Sequence, residues 1–238
     1  MKTLFHEASS RGFAKHGWLT THHSFSFASY YDPTRMGFGA LRVLNDDRIA
    51  PGSGFGRHSH ENMEIITLPL SGSLKHEDSM GNSAVIETGE VQVMSAGTGV
   101  EHAEWNASDT NELTLLQIWI LSEKRDVSPR YDQRRFDATE YQNTFFSVVG
   151  PMNETEALGI HQDARVSLGR FDVGKKAQYV LKSLNHGVYF FAIEGRANIA
   201  GEHLEPRDAL GIWAIDSVSI QAETELFLLV LEVPLKGE

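Results

Sequence analysis

The stretch from Ile66 to Gly97 reads "ITLPLSGSLKHEDSMGNSAVIETGEVQVMSAG". An apolar run ends at Gly72, a polar run follows to a turn at Gly81, and a second apolar run begins after an acidic turn at Glu90. Short apolar and β-branched runs bounded by glycine read as strands, not helices. A counterpart lies in the second half of the chain, where "YFFAIEGRANIAGEHLEPRDALGIWAID" runs from Tyr189 to Asp216 with glycines at 195 and 201 and an acidic turn at Asp208. The shared rhythm predicts an internal repeat, against the plainer reading of two unrelated hairpin arrays.

Further runs of this kind, "ALRVLNDDRI", "LTLLQIWIL" and "LFLLVLEVP", extend the pattern over the whole chain, so the fold class is all-β, a sandwich or closed barrel. The weakly patterned stretch from Ser122 to Ala164 is the expected boundary. The repeat matches His58 to Leu181, His60 to Ser183, Glu64 to Gly187 and His102 to Ile220. Polar chemistry is therefore expected in the first copy alone.

Composition narrows the function. The 238 residues carry a formal charge of −11, which disfavours direct contact with nucleic acid. No stretch of about 18 apolar residues and no signal-peptide pattern occurs, so a soluble, cytoplasmic protein without membrane contact is expected. There are no cysteines, which excludes disulfides, thiolate ligands and cysteine nucleophiles. Any metal must be held by nitrogen and oxygen. Eight of the eleven histidines lie in the first half.

Within that half, "GRHSHENMEI" (Gly56 to Ile65) places His58 and His60 two apart. On a strand they share one face, with Cβ atoms roughly 6 to 7 Å apart, a spacing suited to one ion. A second pair, His102 and Glu104 in "SAGTGVEHAEWN", has the same spacing after another glycine-rich turn. Together they form a nitrogen-rich donor set with a carboxylate. Glu64 is also in phase if its strand is unbroken, so two carboxylates compete for one place; if Glu64 is not the ligand, it is left to orient an imidazole N–H.

Other residues read as structural. The aromatics of "FSFASYY" (Phe25 to Tyr31) suit a core, and Met94, Gln117 and Trp119 border the barrel interior, with packing as their expected role. His22 and His23 suit a strand edge, His76 a surface turn, and Arg130, Arg134 and Arg135 surface ion pairs. His161, His186 and His203 have no partner at strand spacing, so no second metal is expected.

The pattern Gly52, His58, His60, Glu64, Gly72 resembles the first cupin motif, and Gly89, Gly97, His102, Asn106 the second, with Ser95 where a proline is usual. "HGWLTTHHSFSFASYYDP", "ALRVLNDDRIAPGSGFGRHSHENMEI", "HEDSMGN" and "MSAGTGVEHAEWN" together resemble the pirin family, specifically its bacterial members. That resemblance implies a bicupin, two packed jelly-roll β-barrels with few short helices: residues 1 to 135 with a metal site, and residues 136 to 238 as a degenerate barrel without one. It maps the metal ligands onto His58, His60, His102 and Glu104, and so favours Glu104 over Glu64. It implies one divalent ion per chain, iron(II) by family habit, with nickel, cobalt, copper, manganese or zinc as alternatives. The activity it implies is a quercetin 2,3-dioxygenase type of reaction, in which a flavonol-like substrate and dioxygen yield a ring-opened product and carbon monoxide, with Glu104 or Glu64 as base. The other family role is that of a metal-dependent redox sensor or transcriptional coregulator with a protein partner. A bicupin already buries the interface that single cupins satisfy by dimerising, so a monomer is expected.

Overall fold

The run "LTLLQIWIL" is apolar at nearly every position because it is buried on both faces. In the computed structural model, which describes residues 1 to 235, it forms the strand Leu113–Leu121 near the centre of a seven-stranded sheet. Leu116, Ile118 and Ile120 point to one side, into a core shared with the second half of the chain. Leu115, Gln117 and Trp119 alternate to the other side, into the interior of the first half. Leu226–Pro234 plays the same part in the second half, with Leu229, Leu231 and Val233 on the shared side and Leu228 and Val230 inside.

Each half pairs a seven-stranded sheet with a four-stranded one. In the first half the large sheet runs, in spatial order, Arg130–Arg135, Glu90–Ser95, Met63–Ser71, Leu113–Leu121, Leu41–Ile49, Leu19–His23 and Gly12–Lys15. The small sheet runs Gly54–His60, Val100–Asn106, Ser73–Asp78 and Ser83–Glu87. The second half repeats this order, its small sheet being Lys176–Val180, Ser217–Ala222, Ala197–Ile199 and Glu202–Leu204. Its large sheet is edged by Lys2–His6, which pairs with Ala209–Trp213, so the opening residues of the chain belong to the second half's sheet. Two short 3-10 helices, Ala8–Ser10 and Ala138–Tyr141, complete the described structure. The halves are jelly-roll sandwiches, each of two separately hydrogen-bonded sheets, and not barrels closed by a continuous ladder.

The repeat extends to backbone detail. Gly72 and Gly195 hold φ of 80° and 78°, and Gly81 and Gly201 both hold 94°, values open to glycine at little cost. The stretch from Ser122 to Ala164, expected as a weakly patterned boundary, contains the strands Arg130–Arg135, Phe146–Pro151 and Leu158–Ile160. The first of these edges the first half's sheet and the other two lie in the second's.

The interiors of the two halves differ. In the second, one continuous apolar cluster fills the sandwich: Val218 faces Tyr179 and Ile220 faces Ala177 on the strand pair that answers to the one where His102 faces His58, so the sequence match of His58 to Leu181 is not one of structural position. In the first, the apolar interior is split: one cluster around Ile49, Leu74, Ile86 and Leu113, another around Ile65, Met94 and Val100. Between them sit buried polar side chains, among them His76, His102, Glu104 and Gln117. Burying polar groups is unfavourable unless they are paired or hold a ligand, so the split core marks where function lies.

Candidate metal centre

The strands Gly54–His60 and Val100–Asn106 pair antiparallel, with His58 opposite His102 and His60 opposite Val100. The register shifts between His102 and Glu104, where one residue too many on the facing strand forms a bulge. Gly54 lies against the backbone of Glu104 and Trp105, where a Cβ would collide. The glycine therefore permits the close approach that brings the two histidine-bearing segments together.

The geometry is that of a donor cluster. His102 Nε2 lies 3.0 Å from His58 Nε2 and 3.0 Å from His60 Nε2. His58 Nδ1 donates to the Gly56 carbonyl at 2.8 Å, which leaves its Nε2 as a lone pair. Burial and the neighbouring imidazoles push the proton affinity of His102 down to about 2 and that of His60 to about 4, so both are neutral near pH 7. One imidazole proton cannot satisfy three converging Nε2 atoms, whereas a divalent cation accepts all three lone pairs. The residues thus fit a metal ion.

Glu104 is 1 % exposed and belongs to a second, overlapping group of ligand atoms with His76 and His102, all within 4.8 Å of one another. Its Oε2 accepts from Gln117 Nε2 at 2.8 Å and its Oε1 from Thr67 Oγ at 3.4 Å. Gln117 Oε1 in turn accepts from Trp119 Nε1 at 3.3 Å, which fixes the orientation of the amide. Burial raises the proton affinity of the Glu104 carboxyl to about 7, against the opposing effect of these hydrogen bonds.

Glu64 is not brought to this cluster. Asn62, with φ of 49°, ends the histidine-bearing strand, and a new one begins at Met63, so the phase is lost. On that new strand Thr67 reaches Glu104, while Glu64, three residues earlier, points the other way. Its oxygens accept from Ser95 Oγ at 2.6 Å and Ser122 Oγ at 2.7 Å. The expectations that it orients an imidazole or acts as base are corrected accordingly. His76 also departs from its expected surface turn: it is fully buried, with Nε2 3.0 Å from Asp78 Oδ2 and Nδ1 accepting from Gln92 at 3.1 Å. With both nitrogens engaged, it forms the floor beneath His102, ring centroids 5.3 Å apart.

A cavity of about 460 Å³ opens from His58, His60 and Glu104. That is the size of a small-molecule site. Trp18, Phe27, Phe55 and Trp119 give it aromatic walls, with the Trp119 and His60 rings 4.8 Å apart. Gln117 and Trp119, expected to pack, face it, and so does His23, expected at a strand edge; Met94 stays in the core. Of "FSFASYY", Phe25 is core and Phe27 lines the cavity. Sequence reasoning missed Thr21, Asn45 and Asp47, which share the wall with His23; the available signal was polar residues at alternate positions within otherwise apolar strands.

A bicupin with converging imidazoles in one sandwich and an apolar filling in the other is the class that fold and site define. The comparisons with known proteins agree. A family model described as Pirin matches residues 5–120, and one described as Quercetinase C-terminal cupin domain matches residues 147–233. The chain is 44 % identical over 229 residues to a quercetin 2,3-dioxygenase of Escherichia coli strain K12, covering 96 % of this chain and 97 % of the relative. A pirin-like protein of Caulobacter vibrioides is 39 % identical, covering 91 % of this chain and 94 % of that one. The crystal structure of the bacterial pirin YhhW of Escherichia coli in complex with nickel(II) superimposes with a TM-score of 0.93 at 40 % identity, covering 99 % and 100 % of the two chains. The chain belongs to the pirin family.

Proposed function

We propose that this protein is a metal-dependent dioxygenase that opens the central ring of quercetin or a related flavonol with release of carbon monoxide. The observation that carries this reading is the convergence of three imidazoles at the wall of an aromatic-lined cavity. Its relatives named quercetin 2,3-dioxygenase, over nearly the whole chain, support the choice of substrate.

His58, His60 and His102 would hold the ion, with Glu104 as the fourth ligand. A divalent ion bound there supplies Lewis acidity toward a substrate oxygen and a site for dioxygen chemistry. Iron(II) is the proposed native ion, and the nickel(II) complex of the relative makes nickel the first alternative to test. The chain's own contribution is positioning. The rings of Trp18, Phe27, Phe55 and Trp119 offer flat apolar surfaces for a planar polyphenol. Gln117 and Thr67 hold the Glu104 carboxylate in place. The unit that carries the metal is the sandwich of residues up to about 135, and that from about 136 onward is its metal-free scaffold, with Lys2–His6 lent to the latter's sheet. The large apolar core between the halves already covers the faces a single cupin would bury by pairing, which supports a monomer, and the formal charge of −11 disfavours a nucleic-acid partner.

The experiment is quercetin consumption, followed by absorbance in the presence and absence of dioxygen, with carbon monoxide measured in the headspace. Dioxygen-dependent loss with equimolar carbon monoxide is expected from protein loaded with iron, nickel, cobalt or copper. Absence of turnover in all four forms would overturn the proposal.

A further inference from the structure

Asp47 is a carboxylate on the cavity wall that the metal reading leaves without a task. It lies on Leu41–Ile49, opposite Thr21 of Leu19–His23, and the next inward pair is Asn45 opposite His23. These two strands belong to the large sheet, whereas His58, His60 and Glu104 belong to the small sheet that faces it. The cavity therefore has donor imidazoles on one wall and a short polar ladder on the other.

Asp47 is 2 % exposed, and its Oδ1 has no hydrogen-bond partner. Its carboxylate accepts a hydrogen bond from the Thr21 side chain. An unpartnered carboxylate oxygen in an apolar setting is unfavourable unless a ligand donor meets it. The other acid on the cavity lining is Glu104, whose two oxygens are already held by Thr67 and Gln117. His23, on the same wall, is 2.8 Å from Asn45 through Nδ1, and burial lowers its proton affinity. Burial acts on Asp47 in the opposite sense, and the charges of Asp46 and Glu104 add to it, so its carboxyl is pushed up to about 7, near the value at which a base works best at neutral pH.

We propose that Asp47 is the general base that takes the proton of the flavonol's enolic hydroxyl. The substrate O–H bond breaks, a new O–H bond forms on Asp47 Oδ1, and the electron pair stays on the substrate oxygen as an enolate. The proton is returned when the ring-opened product leaves as a carboxylic acid. This assignment rests on the flavonol reading above.

The test compares metal-loaded wild type with Asp47→Asn, nearly the same in shape but unable to accept a proton at that strength, using quercetin and 3-hydroxyflavone. Without dioxygen, the wild type is expected to shift the bound flavonol's absorption to the red-shifted band of the anion, and Asp47→Asn to bind it with the neutral band retained. With dioxygen, turnover by the variant is expected to fall roughly 100-fold or more at unchanged metal content, as for loss of a general base. A neutral band in the wild type, an anion band in Asp47→Asn, or turnover by the variant within a few-fold of wild type would overturn the assignment alone. Failure of metal-loaded wild type to bind either flavonol would overturn the functional reading and this assignment with it.

Discussion

Gln117 Nε2 donates to Glu104 Oε2 at 2.8 Å, and this bond ties the large sheet to the small one across the interior of the first half. Because Trp119 donates to the other end of the same amide, the carboxylate is oriented by a chain of two hydrogen bonds that starts at the cavity wall. Groups that orient a ligand affect affinity almost as strongly as the ligand itself.

Replacing Gln117 by Leu removes both bonds while keeping a similar volume. Metal affinity, measured by competition with a chromophoric chelator, is expected to fall by roughly 10- to 100-fold. Unchanged affinity would mean that Glu104 is not a ligand.

Glu64 gives the opposite expectation. It is fully buried and satisfied by Ser95 and Ser122, on the face of its strand that lies away from the cluster. Glu64→Ala leaves the buried Ser95 hydroxyl and the part-buried Ser122 hydroxyl without an acceptor, so the urea midpoint is expected to drop by the equivalent of roughly 1–3 kcal/mol. Metal content per chain stays at the wild-type value. A variant that folds normally but loses metal would return Glu64 to the site.

The pH dependence of stability is expected to carry a signature of His6. This residue is 5 % exposed, and its Nδ1 is 2.9 Å from the Tyr189 hydroxyl at the junction of Lys2–His6 with the rest of the chain. Burial first, and then the charge of Arg35, lower its proton affinity from 6.5 to about 4. Between those values the unfolded chain binds a proton that the folded chain refuses. Stability from this group is therefore complete above about pH 6.5 and lost as pH falls toward 4. A His6→Asn variant keeps an acceptor near the Tyr189 hydroxyl and does not titrate. Its stability curve, from urea unfolding between pH 4 and 7, is expected to slope less than that of wild type, by a total on the order of 1–3 kcal/mol. Parallel curves would contradict a buried neutral His6.

How far the sequence carries depends on the range of the interactions. His58, His60 and His102 were legible because strand periodicity and two glycine-rich turns act locally, and the second copy's Leu181 and Ile220 showed by contrast which half was polar. Glu64 was misplaced because a single residue, Asn62 with positive φ, resets the phase between two strands, a break that apolar alternation does not announce. His76 was misread because its burial comes from Tyr131 and Gln92, which arrive on strands of the facing large sheet. Lys2–His6 pairs more than 200 residues away, beyond any local pattern. Thr21 and Asp47 face the cavity because their strands lie opposite the histidine-bearing sheet, a relation that exists only once both sheets are assembled.

The most direct test of the metal centre is elemental analysis of the purified protein beside a His58→Ala, His60→Ala double variant, each also assayed for dioxygen-dependent quercetin loss. Wild type is expected to hold about one divalent ion per chain and to consume quercetin, and the folded double variant to do neither, since two of the three converging donors are gone. A folded double variant that still binds one ion per chain and still turns over quercetin would contradict the account.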